Sequence, residues 1–323
     1  MSGLVFHSLE EARHNFGPCA ITIGNFDGVH VGHQSLLAET VGFAKAKNLS
    51  PAVLTFDPHP ATVVAPERVP EMICSLQQRI QLLLAAGAER ILVLPFTPDT
   101  ASLSAEEFVS QILVKGLQTK AVFVGKNFRF GHRQGGNPEV LRQLGERFGF
   151  VSEFLPPVAV RGQIVSSSLI RNFLSNGNVS RAARLLGHCF VLQGPVVAGH
   201  GVGRKQTVPT LNLRPTPQQL TPRGVYITET LDLTSSARWP SITNVGVRPT
   251  FGGDELTIES FLLASLENPP PERIEVQFRR FVRSERAFPN PEELRAQILQ
   301  DVAKAQRYWR RAAKLAQPAA SIY

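Results

Sequence analysis

Along the first half of the chain, short unbroken apolar runs alternate with longer stretches in which apolar residues recur every three or four positions. Ala20–Ile23, Ala52–Phe56, Ile91–Leu94, Ala121–Val124 and Val151–Leu155 are short runs rich in Ile, Val, Leu and Phe, the pattern of strands buried on both faces. Gln34–Lys47 places Leu37, Val41 and Ala44 at helical spacing, and Leu76–Ala86 and Pro138–Phe148 also read as helices. Ser104-Ala-Glu-Glu107 has the serine and the glutamate three residues on that make a capping box. Regular alternation of strand and helix predicts a parallel sheet covered by helices on both faces. Ligands of such sheets bind beyond the carboxyl ends of the strands.

The pattern changes near Leu186, where Val179–Leu186 is the last helical segment of the first half. Beyond it come six short runs broken by Gly and Pro: Phe190–Leu192, Val196–Ala198, Val225–Thr230, Ser241–Val247, Leu256–Leu263 and Ile274–Phe278. Short strands at turn-rich spacing predict a small antiparallel barrel. Asn290-Pro-Glu-Glu293 reads as an N-cap with proline at the first helical position, opening a closing helix with Leu294, Ile298, Val302 and Ala305 on one face. The expectation is two domains, residues 1–186 and 187–323, which suits a chain of 323 residues.

Composition narrows the function. Hydrophobic residues make up 43%, enough for a sizeable core, yet no apolar run approaches the roughly 18 residues of a membrane span. The first residues lack the basic and apolar regions of a signal peptide. Cys19, Cys74 and Cys189 are odd in number and not at metal-ligand spacing, so they read as thiols of a reducing, cytoplasmic compartment, with no membrane partner. The net charge of +8 suits anionic partners. Its basic residues are scattered, with only doublets such as Arg279-Arg280 and Arg310-Arg311, and neither zinc-finger nor RNA-recognition spacing is present. Small phosphorylated molecules therefore fit better than nucleic acid. Oligomeric state is not legible.

The most informative segment is Gly24-Asn25-Phe26-Asp27-Gly-Val-His30-Val-Gly32-His33-Gln34, between the first predicted strand and the first predicted helix. A tight glycine turn leading into a helix N-terminus favours phosphate, because free N–H groups and the helix dipole converge there. His30 and His33 lie just before the helix, spaced to face one pocket, and imidazoles donate to phosphate oxygens as charge builds in a transition state. A zinc site is disfavoured because no further ligands cluster with the pair.

His-x-Gly-His in this setting resembles the nucleotidyltransferases related to class I aminoacyl-tRNA synthetases. Gly-Asn-Phe-Asp-Gly-Val-His narrows the resemblance to the bacterial bifunctional riboflavin kinase/FAD synthetases, over nearly the whole chain. The resemblance implies a Rossmann-like nucleotidyltransferase domain followed by a small β-barrel kinase domain with a C-terminal helix. In the first domain it extends through Asp57-Pro-His59-Pro60 and Asn127-Phe128-Arg129-Phe130, implied to hold flavin, with Phe128 and Phe130 as an aromatic wall. Asn127 stands where the family commonly has Asp. Ser166, Ser167 and Ser168 are implied to hold phosphates, as are Gly24 to Asp27 and Gly32, and Arg171 to clamp charge on the transferring group. The implied reaction is in-line attack of the FMN phosphate on the α-phosphorus of ATP, with Mg²⁺ neutralising the triphosphate and pyrophosphate leaving.

In the second domain, Gly199, Gly201 and Gly203 precede Pro209-Thr210-Leu-Asn212, which is similar to the Pro-Thr-Ala-Asn signature of riboflavin kinases. The glycine stretch is not a P-loop, since no Gly-Lys-[Ser/Thr] follows. The resemblance implies ATP phosphates on the glycine backbone, Mg²⁺ and ATP phosphates on Thr210 and Asn212, and Glu259 as general base for the ribityl hydroxyl, converting riboflavin and ATP to FMN and ADP. Thr207-Val208 and Phe261 depart from the Gly-Phe and His usual there. Two other readings stay open at this point: a His-x-Gly-His adenylyltransferase for a pantetheine or pyridine nucleotide, and a flavin- or RNA-binding regulator built on decayed modules.

Overall fold

The computed structural model describes residues 3–198, 210–250, 253–266 and 269–316. Contacts divide the chain into two compact units, Met1–Leu169 and Ile170–Tyr323.

The first unit is built on a six-stranded parallel sheet: β1 (Leu4–Phe6), β2 (Cys19–Ile23), β3 (Ser50–Asp57), β4 (Arg90–Pro95), β5 (Thr119–Gly125) and β6 (Val151–Leu155), in the order β1-β4-β3-β2-β5-β6. Alternate residues of each central strand enter opposite cores. Ile21, Ile23, Leu54, Leu92 and Val122 pack with Phe108, Leu113 and Leu141, while Ala20, Val53, Ile91, Val93 and Phe123 pack with Leu37, Ala44 and Leu83. Helices therefore cover both faces, as the unbroken apolar runs predict. Edge strand β1 was not among the predicted strands, because three residues are too few to show a period. The Ser104 capping box is present in both directions, and the helix it opens continues as a π-helix over Phe108–Gly116. A short hairpin, β7 (Ala159–Val160) with β8 (Gln163–Ile164), follows the sheet.

The second unit is a closed antiparallel barrel of β9 (Phe190–Val197), β10 (Thr210–Leu213), β11 (Gly224–Asp232), β12 (Arg238–Thr250), β13 (Gly253–Leu262) and β14 (Arg273–Arg283), in the order β10-β13-β12-β11-β14-β9. Two predicted runs, Phe190–Leu192 and Val196–Ala198, are one strand, β9, and β10 was not predicted. A Cβ on Gly194 would lie 1.8 Å from the Arg214 carbonyl oxygen, so the close approach of the chain after β10 requires glycine there. Helix Val179–Leu186 belongs to this unit, since the Ser180 hydroxyl donates to the Arg279 carbonyl at 3.1 Å and its apolar face packs on the barrel. The division by contacts thus falls earlier than the change of periodicity near Leu186. The closing helix, Pro291–Ala316, is capped by Asn290, whose Oδ1 accepts from the Glu293 N–H at 2.9 Å. Val302, Ala305 and Trp309 of that helix pack over Val225, Ile227 and Ile242 on the outside of the barrel.

Inside the barrel the residues are Tyr226, Phe190, Phe278, Leu211, Ile258, Val276 and a group of five buried hydroxyls. Thr228 meets Ser241 at 2.8 Å and Thr243 at 2.7 Å, Thr230 meets Ser241 at 2.8 Å and Ser260 at 2.6 Å, and Thr243 meets Ser260 at 3.0 Å. These contacts form a closed ring in which each hydroxyl has two neighbours, so every member can donate once and accept once. Replacing Thr230 by Val leaves Ser241 and Ser260 each short of a buried partner, which costs about 1–3 kcal/mol. The chain's two tryptophans, Trp239 and Trp309, both lie in this unit, so a urea titration followed by tryptophan fluorescence will show the lowered midpoint.

Candidate functional site

In the first unit the motifs converge at the carboxyl ends of β2, β3 and β5, where the strand order turns from one side of β2 to the other. After β2 the chain makes a left-handed loop, with φ of 50° at Phe26, 76° at Gly28 and 38° at Val29. Two of these residues are not glycine, and such backbone costs about 1–2 kcal/mol at each. Asp27 holds the loop. Its buried carboxylate accepts from the Ile73 N–H at 3.0 Å, the Cys74 N–H at 3.2 Å and the Cys74 thiol at 3.7 Å. The Gly28 N–H donates back to Cys74 Sγ at 3.1 Å. Burial, then the neighbouring Asp27, pushes the Cys74 thiol up to about 12, so it stays protonated. The Asp27 carboxylate thus faces the loop's own scaffold, while its main-chain carbonyl accepts from the Ser167 hydroxyl at 3.2 Å and joins the serine segment to the loop.

The helix begins three residues earlier than its periodicity predicts, at Val31, so His33 lies within its first turn and His30 is the N-cap. His30 Nδ1 accepts from the His33 N–H at 3.2 Å. The neutral ring therefore carries its proton on Nε2, where it remains available to a ligand. The two imidazoles stack with centroids 3.6 Å apart, and Phe26 sets its edge against His33 at 5.1 Å. A Cβ on Gly32 would come within 3.2 Å of the His30 ring, so Gly32 leaves room for that imidazole. Burial lowers His30 to about 4, with Asp27 opposing. Burial, the adjacent His30 and the charge of Arg79 hold His33 well below the usual imidazole range. Both rings are neutral hydrogen-bond donors at pH 7.

The other predicted residues are placed as follows. Asn25 lies 3.1 Å from His59 Nε2, and His59 Nδ1 accepts from the Ala61 N–H at 3.1 Å, which fixes the segment after β3. Asp57 is exposed and Pro60 half-buried. After β5, Asn127 and Arg129 are exposed. Phe130 is part of the core against Phe108, and half-buried Phe128 stacks on it at 5.4 Å, so only Phe128 presents a partly open ring. Ser166 caps the helix Ser167–Ser175 by accepting from the Leu169 N–H at 3.3 Å, and Ser168 is exposed in its first turn. Gly24 bonds its N–H to Leu54 O at 3.1 Å. Arg171 lies one turn along the same helix, in the second unit. Sequence reasoning gave no role to Thr55, which opens the segment containing Asp57 and His59, and missed the parts played by Ile73, Cys74 and above all Arg79, a buried cation inside an otherwise ordinary helix. A lone charge at helical spacing reads as a solvated face, so the sequence held no signal for it.

In the second unit, register assembles the predicted kinase residues. Asn212 on β10 stands directly opposite Glu259 on β13, and Glu259 directly opposite Asn244 on β12. Opposed side chains on one face are about 5 Å apart at Cβ. Thr210 is two residues from Asn212 and shares its face, while Leu211, Ser260 and Thr243 point into the barrel. Thr210, Asn212, Asn244 and Glu259 are half-buried, and among the described residues no cation pairs with Glu259. Gly199, Gly201 and Gly203 lie outside the described residues. Among the described residues no cluster of three or more His, Cys, Asp or Glu is arranged to hold a metal, and no helix is long and apolar enough to cross a membrane.

A paired-histidine helix start at the end of a parallel sheet, followed by a barrel with a carboxylate set between two amides, defines an enzyme with a nucleotidyltransferase module and a kinase module. Comparisons with known proteins agree. A family model described as FAD synthetase matches residues 12–169, and one described as riboflavin kinase matches residues 186–309. The bifunctional riboflavin kinase/FMN adenylyltransferase of Escherichia coli (strain K12) is 34% identical over 304 residues, 94% of this chain and 96% of that protein. The protein of the same description from Pseudomonas fluorescens is 36% identical over 302 residues, covering 92% and 96%. A crystal structure described as a macrolide-efflux protein from Streptococcus pneumoniae matches with a TM-score of 0.83 and 26% identity, covering 95% of this chain and 99% of that one. The chain belongs to the bifunctional riboflavin kinase/FMN adenylyltransferase family.

The histidine pair gives the fold a pH signature. With His30 lowered from 6.5 to about 4, the unfolded chain binds more protons between those values. Its contribution to stability is therefore intact above about pH 6.5 and is lost as pH falls toward 4. Thermal melts of the His30→Gln variant across that window will show a shallower dependence of stability on pH than the wild type.

Proposed function

We propose that the chain makes FMN and then FAD, phosphorylating riboflavin in the barrel unit and adenylylating FMN in the sheet unit, with the functional boundary near residue 186. The observation that carries the adenylyl-transfer reading is the neutral, stacked His30–His33 pair at a helix N-terminus, joined through Asp27 to the Ser166–Ser168 segment. ATP places its phosphates over the loop and helix start, where N–H groups and imidazole N–H donors converge. Neutral donors suit this task, since they stabilise charge as it grows on the α-phosphate without holding a proton the reaction must move. An oxygen of the FMN phosphate attacks the α-phosphorus, the bond to the β-phosphate oxygen breaks, and pyrophosphate leaves. Arg171 contributes charge to the transferring group. The flavin occupies the side of the site lined by Asp57, His59, Pro60, Asn127, Phe128 and Arg129, with Phe130 supporting Phe128 from below.

In the barrel, Glu259 takes the proton of the ribityl 5′-hydroxyl as that oxygen attacks the γ-phosphorus of ATP, and ADP leaves. Thr210 and Asn212 offer hard, neutral oxygens and fit a Mg²⁺ shared with nucleotide phosphates. When bound, the ion neutralises phosphate charge. Gly199, Gly201 and Gly203 hold the nucleotide phosphates through their backbone. We place the enzyme in the cytoplasm, in keeping with three free cysteines. Its partners are riboflavin, FMN and ATP as substrates and FAD, ADP and pyrophosphate as products.

A chromatographic time course of the purified protein with riboflavin, ATP and Mg²⁺ tests the reading: FMN appears first and FAD follows. His33→Ala abolishes FAD formation and leaves FMN formation largely intact. Glu259→Ala abolishes FMN formation but still yields FAD from supplied FMN. Loss of both activities in either folded variant refutes the assignment of one reaction to each unit.

A further inference from the structure

Beneath the histidine pair lies a guanidinium that no motif accounts for. Arg79, on the helix Leu76–Ala85, is only 3% exposed. Its Nη1 donates to the Phe56 carbonyl at 3.0 Å and to Thr55 Oγ1 at 3.3 Å, both at the carboxyl end of β3. Thr55 Oγ1 in turn donates to the Asn25 carbonyl in the loop at 3.2 Å. The three groups form a directed relay from helix to strand to loop. Nε is buried without a partner, and among the described residues no carboxylate pairs with Arg79. A buried cation with neither counter-ion nor full hydrogen bonding is destabilising by itself, so its retention calls for a use.

We propose that Arg79 is a positioning residue of the adenylyl-transfer site: its guanidinium clamps the end of β3 to the Gly24–His33 loop and sets a permanent positive charge behind the histidine pair. The inference rests on the reading of that site given above. Among the described residues, Asp27 in the loop and Arg79 on the helix act on the pair, Cys74 ahead of the helix bonds to Asp27 and Gly28, and His59 beyond β3 bonds to Asn25 of the same loop. Cys74 is a neutral thiol and Asp27 is taken up by backbone N–H groups, so Arg79 is the cation whose field reaches His33. That field acts in two ways. It adds to burial and the adjacent His30 in disfavouring an imidazolium at His33. It also attracts the triphosphate, which the neutral imidazoles cannot do by charge.

The test compares Arg79→Met and Arg79→Lys with the wild type, following FAD formation from FMN and FMN formation from riboflavin in the same preparations across pH. A wild type that makes no FAD refutes the adenylyltransferase reading itself, separately from this proposal. Given wild-type activity, Arg79→Met is expected to lower kcat for FAD formation about ten- to a hundredfold. It is also expected to move the acid limb of the profile to higher pH, because removing the cation eases protonation of His33. FMN formation is unchanged. Arg79→Lys keeps the charge, recovers most of the rate and leaves the acid limb in place. Wild-type rate and profile in the methionine variant overturn the proposal. So does an equal loss in both variants with no movement of the limb, which marks a merely structural role. If the methionine variant does not fold, NMR titration of the imidazoles decides. The proposal requires both to be neutral at pH 7 in the wild type and His33 to stay neutral in the lysine variant; an imidazolium at His33 in either protein overturns it.

Discussion

The first site depends on one buried carboxylate. Asp27 sits in a loop whose backbone runs through left-handed conformations at Phe26, Gly28 and Val29, which a free peptide would seldom adopt. What holds them is the set of donors converging on that carboxylate from Ile73 and Cys74. Those residues immediately precede the capping box at Ser75, so the same contact sets where the helix bearing Arg79 begins. From the loop, His30 arrives as an N-cap and His33 stacks on it. From the carbonyl of Asp27, the Ser166–Ser168 segment is held close. One buried carboxylate, held by main-chain N–H groups, thus fixes the spacing of three chain segments that are distant in sequence.

The two sites use different sources of precision. In the sheet unit, functional groups come from loops at strand ends, and their positions derive from caps and side-chain-to-backbone bonds. In the barrel unit they stand on adjacent strands, and their positions derive from register: Asn212, Glu259 and Asn244 form one row because the ladder pairs them. A slip of one residue along β13 would turn Glu259 into the barrel and bring Ser260 out. The interior hydroxyl ring resists such a slip, since Ser260 bonds to both Thr230 and Thr243.

Much of this was legible in the sequence. The central strands of the sheet showed themselves because strands buried on both faces are unbroken apolar runs, and the loop of His30 and His33 showed itself by its glycines and paired imidazoles. The strand carrying Thr210 and Asn212 did not, because Thr-Leu-Asn-Leu is too short to establish alternation. Phe130 reads like Phe128 in sequence, yet one ring is core and the other a partly open surface, a distinction made only by the packing of Phe108. Arg79 was invisible for the converse reason. Its significance lies in the lack of a counter-ion, which is a property of three-dimensional surroundings.

The hydroxyl ring in the barrel has a consequence of another kind. Five donors serving five acceptors in a closed cycle must all point the same way around, so the ring has two senses, exchanged only if every proton rotates together. No member has an independent hydrogen-bonding state. The positions 228, 230, 241, 243 and 260 therefore behave as one inherited character: drift at any of them is tolerated when its two neighbours change to match, and a history of substitution in this barrel should show them moving as a set.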